Sequence, residues 1–198
     1  MITQLKSPLY AQLELTASCN NSCNYCYNFW RSAGVKGVAE EAHPFSHFSA
    51  IIDELARNDV FQLTITGGEP LLKKEILLKT IERASKLGID VSLNTNLTLL
   101  DDVMAQCLKD MGLKSVLGSL ISHDKNTYNQ ISGTKNYASV LEGMDAVVRA
   151  GISLGVNMVV EKQNLGYVFD TARLCSERGV GHFFATRLNP SPAKKRAD

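Results

Sequence analysis

Three cysteines, Cys19, Cys23 and Cys26, form the densest group of reactive side chains in the sequence, with the spacing C-x3-C-x2-C. Thiolates are the usual ligands of iron–sulfur clusters, and a cubic 4Fe–4S cluster normally takes four of them. Three thiolates on one short segment can hold three of the irons and leave the fourth iron open to bind and activate another molecule. The spacing therefore predicts a 4Fe–4S site with one open coordination position.

A structural zinc site is the alternative for the same cysteines. Structural zinc takes four protein ligands, usually from two C-x2-C pairs or from one such pair and two histidines. Neither pattern is present in this sequence, although His43 or His47 could supply a fourth ligand. A non-catalytic module that binds zinc or an iron–sulfur cluster therefore stays open as an interpretation.

A second motif, Gly67-Gly68-Glu69-Pro70, follows a short segment rich in β-branched residues. Two glycines allow the backbone to approach a ligand closely, and the carboxylate of Glu69 could accept a hydrogen bond from an ammonium group. The motif lacks the G-x-G-x-x-G of dinucleotide folds and the Gly-Lys-Thr/Ser of a P-loop. The aromatic ring of Tyr25, just before the third cysteine, could pack on its own loop or stack on a purine.

The elements that must position these motifs follow from two alternating hydrophobic periods. Six segments have the pattern of strands: 11–16, 61–66, 89–94, 115–121, 152–160 and 182–186. Amphipathic helical patterns lie between them, and several end at a glycine, as helices commonly do. This alternation predicts an α/β fold with a parallel sheet, either open or curled as a barrel. In such folds the chemistry lies at the carboxyl ends of the strands, which is where both motifs fall.

Composition excludes several classes of function. The chain has 198 residues, 44% of them apolar and 21% charged, with a net charge of +1, which is ordinary for a globular protein. So small a net charge predicts no nucleic acid and no anionic membrane as partner. No apolar run approaches the length of about 18 residues that a transmembrane helix needs, and residues 1–6 lack a signal-peptide pattern. An odd number of cysteines, three of them crowded together, favours a reducing compartment and a cytoplasmic location.

Together the two motifs resemble those of the radical S-adenosylmethionine (radical SAM) superfamily. The segment from Cys19 to Cys26 matches C-x3-C-x-aromatic-C, and Gly67-Gly68-Glu69-Pro70 matches the family's GGE motif. The resemblance covers roughly residues 10–189 and implies a partial (βα)6 TIM-like barrel of parallel strands. It also implies a 4Fe–4S cluster, reductive cleavage of S-adenosyl-L-methionine to a 5′-deoxyadenosyl radical, and hydrogen abstraction from a substrate. The implied electron donor is a reductant such as flavodoxin or ferredoxin.

The resemblance also implies roles for particular residues. Gly67, Gly68 and Glu69 would receive the methionine amino group of S-adenosylmethionine, and Tyr25 would lie near its adenine. Two further residues at predicted strand ends, Ser119 and Asn157, would face its ribose or carboxylate. The plain alternatives for these two are a strand-end hydroxyl and a strand-end cap. No catalytic side chain is assigned beyond the cluster ligands.

Other stretches are similar to the subgroup that carries a SPASM or twitch domain with auxiliary clusters, among them 93–100, 118–120, 137–143 and 155–160. That similarity implies maturation of a peptide or protein substrate. A small-molecule radical SAM enzyme of cofactor biosynthesis is the second interpretation. The chain departs from the subgroup at 119–123, where Ser-Leu-Asp-Gly-Pro is usual, and at Ser132-Gly133, where Arg-Gly is common. Both departures remove charge beside the expected pocket.

We expect one core domain over residues 1–189, followed by a polar tail at 190–198 where the domain is truncated. No further helical pattern follows the last predicted strand, which would leave it uncovered. We therefore expect a missing C-terminal auxiliary domain or a covering chain. Two cysteines outside the loop, Cys107 and Cys175, lie on apolar helix stripes and are expected to pack in the core. Trp30, just after the cysteine loop, is expected to serve in packing and not as a platform for substrate.

Overall fold

Six parallel strands form a single sheet in the computed structural model, which describes residues 7–28 and 43–188. The strands follow one another in sequence order: β1 (Tyr10–Glu14), β2 (Gln62–Thr66), β3 (Asp90–Thr95), β4 (Ser115–Ser119), β5 (Ser153–Val160) and β6 (His182–Arg187). This arrangement confirms the predicted partial (βα)6 TIM-like barrel. The tail at 190–198, residues 1–6 and Trp30 lie outside the described residues.

In the part of the chain that the structure describes, six α-helices connect the strands: α1 (Phe45–Arg57), α2 (Lys74–Lys86), α3 (Asp102–Asp110), α4 (Lys125–Ser132), α5 (Tyr137–Arg149) and α6 (Val168–Glu177). Short 3₁₀ turns, Pro70–Lys73 and Leu165–Tyr167, lead into α2 and α6. Asp101 caps α3, because its Oδ1 atom accepts a hydrogen bond of 2.7 Å from the amide of Met104. None of the helices in the described ranges is both long and apolar enough to cross a bilayer.

The two faces of the sheet carry different side chains. The outward residues are apolar and pack under the helices, and they are almost wholly buried: Leu63, Ile65, Val91, Leu93, Val116, Leu154 and Val156. On the inner face, a row of polar residues pairs in register across five strands: Gln12 with Thr64, Thr64 with Ser92, Ser92 with Ser115, and Ser115 with Ser153. The core therefore lies between sheet and helices, and the inside of the half-barrel is left for hydrogen-bonding groups.

Helix α4 is the main element that the sequence analysis missed. Its sequence, KNTYNQIS, is mostly polar and carries too few apolar residues for a helical stripe. Signals at its two ends were nevertheless present. The Asp124 carboxylate caps it by accepting from the amide of Thr127 at 2.8 Å, and Gly133 ends it with a φ of 70°.

Two strands also end earlier than predicted. The first was expected to run to residue 16 and ends at Glu14, and the fourth was expected to reach residue 121 and ends at Ser119. In both places apolar residues continue past the strand, since Leu15 and Leu120 are buried. The apolar residues of the loops that leave the sheet therefore made the two predicted strands too long.

Candidate cofactor site

A cavity of 360 Å³ opens at the carboxyl ends of the strands. Nearly all of the residues singled out from the sequence line it: Cys19, Cys23, Cys26, Tyr25, Gly67, Gly68, Ser119 and Asn157. They come from the loop after β1 and from the ends of β2, β4 and β5, so the parallel sheet brings together groups far apart in sequence. Glu69 is the one predicted site residue that does not line this cavity.

The cysteine loop is held in place by the end of α4. The amide of Ser22 donates to the carbonyl of Ser132 at 3.0 Å, and the amide of Asn24 donates to the carbonyl of Ile131 at 3.0 Å. A Cβ atom on Gly133 would lie 2.8 Å from the carbonyl oxygen of Ser22, so a side chain there would push the loop away. Helix α4 therefore helps to position the three thiols. The contact is made at Ser132-Gly133, where the SPASM or twitch subgroup commonly has Arg-Gly.

The three cysteines form no disulfide and are partly buried. Burial, reinforced by the nearby Cys19 and Cys26, raises the pKa of Cys23 to about 11, and a hydrogen bond with Tyr25 partly offsets that shift. Metal ions bind the thiolate, so loading this loop releases protons.

The donor set suits an iron–sulfur cluster. Across the described ranges, no three His, Cys, Asp or Glu side chains gather tightly enough to hold a single metal ion. A cubic cluster does not require that, because each thiolate binds a different iron. The histidines considered for zinc, His43 and His47, stack on each other with ring centroids 4.4 Å apart and do not line the cavity.

The two glycines of the GGE motif pack against the backbone that leads into the cysteine loop. The amide of Gly68 donates to the carbonyl of Thr16 at 2.7 Å, and the amide of Glu69 donates to that of Ser18 at 2.8 Å. Any Cβ on Gly68 would overlap the Ser18 carbonyl, and Gly67 has a φ of 136° that disfavours other residues. The glycines therefore join the loops after β1 and β2, in addition to lining the cavity.

Glu69 lies behind the cavity wall and has no exposed surface. Its Oε1 atom accepts hydrogen bonds from the hydroxyl of Thr95 at 2.8 Å and from the amide of Leu71 at 3.1 Å. Its Oε2 atom accepts from the amide of Asn96 at 2.8 Å. Burial raises the pKa of the Glu69 carboxyl, and these three donors oppose that shift. Its side chain ties the loops after β2 and β3 together, and its predicted contact with the methionine amino group stays a prediction.

The remaining predicted residues occupy the cavity walls. The hydroxyl of Tyr25 hydrogen-bonds with the thiol of Cys23, and burial raises the pKa of this tyrosine well above its ordinary value. Ser119 and Asn157 are register partners on β4 and β5. The side-chain oxygen of Asn157 accepts a hydrogen bond of 3.0 Å from Thr186 on β6. Their predicted contacts with S-adenosylmethionine are compatible with these positions and remain predictions.

Two further residues of the cavity, Asn96 and Arg187, were given no role in the sequence analysis. Asn96 follows β3, and its Nδ2 atom lies 3.8 Å from the sulfur of Cys19 and 2.8 Å from the side-chain oxygen of Asn20. Arg187, at the end of β6, is the one cationic side chain among the described residues that line the cavity. Both positions lie at a strand end, and that location was the only signal by which the sequence could have flagged them.

Comparison with known families gives a match over most of the chain. The model of the radical SAM superfamily matches residues 13–175. A relative from Sulfurisphaera tokodaii, named probable GTP 3′,8-cyclase, is 30% identical over 90% of this chain and 56% of its own length. A protein of the same name from Pyrococcus horikoshii is 31% identical over 84% of this chain and 52% of its own length. The chain therefore spans about half the length of these curated relatives.

Solved structures share the fold at low sequence identity. Streptococcus suis SuiB bound to S-adenosylmethionine superposes with a TM-score of 0.76 at 18% identity, covering 96% of this chain and 41% of that chain. The structure of anSMEcpe with bound AdoMet and the Kp18Cys peptide has a TM-score of 0.78 at 18% identity, covering 97% and 54%. At this level of identity the likeness establishes the architecture alone.

Proposed function

Since the chain belongs to the radical SAM superfamily, we propose that it cleaves S-adenosylmethionine reductively and abstracts a hydrogen atom from a substrate. Family membership implies both a 4Fe–4S cluster and S-adenosylmethionine as cofactors. When bound, the reduced cluster supplies one electron to the sulfonium, whose C–S bond breaks to give methionine and a 5′-deoxyadenosyl radical. The observation that carries the proposal is the convergence of three thiols and the GGE loop on one cavity.

The chain's own residues would bind and orient these groups. Cys19, Cys23 and Cys26 would each hold one iron, and the fourth iron would stay open to the methionine end of S-adenosylmethionine. The hydroxyl of Ser119 and the amide of Asn157 would hydrogen-bond with its polar groups. Positioning of this kind is the protein's main contribution in enzymes whose cofactor carries the reaction. The electron donor would be a small reductant protein such as flavodoxin or ferredoxin.

The substrate class that we propose is a small molecule. The support is the set of relatives named probable GTP 3′,8-cyclase, which match at 30% and 31% identity over most of this chain. Arg187 lines the cavity, and a guanidinium offers the planar pair of donors that binds phosphate or carboxylate groups well. A phosphorylated nucleoside or another small anion is therefore the preferred candidate.

A peptide or protein substrate is the second candidate. It is favoured by the stretches at 93–100, 118–120, 137–143 and 155–160, which are similar to the SPASM or twitch subgroup. With a peptide substrate we would also propose a C-terminal auxiliary domain, or another chain, that covers the last strand. The core domain would then be residues 1–189, with the segment 190–198 leading out of it.

The cofactor proposal is tested by anaerobic reconstitution with iron and sulfide. We expect four irons per chain, a reduced-state electron paramagnetic resonance (EPR) spectrum that changes when S-adenosylmethionine is added, and 5′-deoxyadenosine formation with dithionite. Cys23→Ala should lose the intact cluster and form no 5′-deoxyadenosine. Cys107→Ala is the matched control, because Cys107 does not line the cavity. A chain that retains zinc and cleaves nothing would instead support the non-catalytic binding module.

The substrate class is tested by isotope transfer into 5′-deoxyadenosine. Deuterium should pass from GTP labelled on its ribose into 5′-deoxyadenosine when the reconstituted protein turns over. No transfer from GTP, together with transfer from a labelled peptide encoded beside the gene, would replace the small molecule with the peptide. The cluster and the EPR response to S-adenosylmethionine are measured in the same samples, so that failure of the cofactor is seen separately.

A further inference from the structure

Asn96 occupies a junction between three parts of the site. Its backbone amide donates to Glu69 of the GGE loop at 2.8 Å. Its Nδ2 atom donates to the side-chain oxygen of Asn20 at 2.8 Å and lies 3.8 Å from the sulfur of Cys19, within hydrogen-bonding reach of sulfur. Asn96, which directly follows β3, therefore contacts both the cysteine loop and the carboxylate of the GGE loop.

The orientation of the Asn96 side-chain amide is determined by its partners. Its Oδ1 atom accepts hydrogen bonds from the backbone amide of Thr98 at 3.0 Å and from the Thr98 hydroxyl at 2.6 Å. A backbone N–H can only donate, so the side-chain oxygen must face Thr98. The NH₂ group consequently faces Cys19 and Asn20, and the exchanged orientation would place two donors against each other.

The backbone next to Asn96 is held in an uncommon conformation. Leu97 has a φ of 68°, a left-handed value that leucine seldom adopts, and it is completely buried. Its side chain fills the space that a Cβ on Gly118 would need, and its carbonyl occupies the corresponding space over Gly143. The amide of Leu97 donates to the hydroxyl of Thr95 at 3.1 Å. Such a conformation persists only where its surroundings enforce it. The packing around Leu97 therefore holds the backbone next to Asn96 in place.

We propose that Asn96 is a positioning residue that donates an N–H···S hydrogen bond to the Cys19 ligand and thereby raises the reduction potential of the cluster. Reduction adds negative charge to the cluster and its thiolate ligands, and hydrogen bonds to the sulfurs stabilise that charge. The inference rests on the proposed function, since it requires the cluster. It goes beyond that function by naming a side chain that sets the reduction potential of the cluster.

The test is a potentiometric titration of the reduced-cluster EPR signal in reconstituted protein without S-adenosylmethionine. Asn96→Ser is the cleanest variant, because its hydroxyl can still accept from the Thr98 amide while the donor to sulfur is lost. We expect the equilibrium constant for one-electron reduction to fall by about three- to tenfold, where tenfold corresponds to 59 mV. Asn96→Asp should show a larger fall, because it adds a negative charge beside the cluster.

Asn94→Ala is the matched control, since Asn94 lies two residues earlier on β3 and lines the same cavity. Its midpoint potential should equal that of the wild type. A wild-type potential in Asn96→Ser with a full complement of iron would overturn the inference. Failure of both Asn96→Ser and Asn96→Ala to take up iron would also overturn it, in favour of a purely structural role. A wild-type chain that assembles no cluster would instead defeat the proposed function itself.

Discussion

The outer and inner faces of the sheet are built from the same strands and perform different tasks. On the outer face, Leu63 and Val91 are fully buried in the apolar layer under the helices. On the inner face, Thr64 and Ser92 lie on the same two strands, and their hydroxyl oxygens are 2.6 Å apart. Alternation of side chains along a strand allows this division. Stability therefore depends mainly on one face, and the other is free to carry polar groups for binding.

The rim where the strands end differs from both faces, because backbone packs directly on backbone there. Among the substitutions that compare the rim with the two faces, we expect Gly68→Ala to have the largest combined effect on stability and iron content, since the added methyl would overlap the Ser18 carbonyl, which cannot rotate away. Overpacking of this kind costs about 3 kcal/mol, and displacement of the cysteine loop should also abolish iron binding. Chemical denaturation and iron analysis measure the two effects.

Gly166→Ala is the control for that substitution, because nothing lies within 4 Å of the position where its Cβ would be. It should leave both stability and iron content near the wild-type values. Normal iron content in Gly68→Ala would show that the two loops are not rigidly joined.

A second pair of substitutions tests the difference between the faces directly. Leu63→Ala opens a cavity in the fully buried layer and should cost about 2–5 kcal/mol. Ser92→Ala removes one hydroxyl of the inner pair and should cost only about 1 kcal/mol. Urea denaturation of the two reconstituted variants measures both values. Equal losses in the free energy of unfolding would contradict the view that stability depends mainly on the outer face.

The smallest expected effect lies on the outside of the helical layer, where the guanidinium of Arg83 on α2 contacts Asp53 on α1 at 2.6 and 2.7 Å. The hydrogen bonds from Arg83 lower the pKa of the Asp53 carboxyl. A lowered carboxyl pKa stabilises the fold above the unfolded-state value of about 3.9, and this stabilisation is lost as the pH falls through the folded-state value.

We therefore expect Asp53→Asn to lower the melting temperature slightly at pH 7 and progressively less below about pH 4. Both partners are substantially exposed, so the effect should also weaken in high salt. Circular dichroism melts across that pH range provide the measurement. A difference in melting temperature between Asp53→Asn and the wild type that stays constant down to about pH 2 would mean that Asp53 acts through packing and not through its charge.

Much of the architecture could be predicted because it follows from local patterns. The six strands appear where the apolar and β-branched segments lie. Helix α4 could not be found by periodicity, since it contributes only Tyr128 and Ile131 to the apolar core, and its caps and its contact with the cysteine loop are not part of a periodic pattern. The expectation of a peptide substrate is not confirmed, since the curated relatives are named probable GTP 3′,8-cyclase.

The sequence by itself determined the three thiols, their spacing, the glycine motif and the order of strands and helices, because each depends on neighbours a few residues away. Only the tertiary structure decided that Glu69 accepts hydrogen bonds from the loop after β3 and that the Asn96 amide faces Cys19, 77 positions earlier. The physical reason is that a hydrogen bond depends on distance and direction between atoms, which the folded sheet sets and separation along the chain does not.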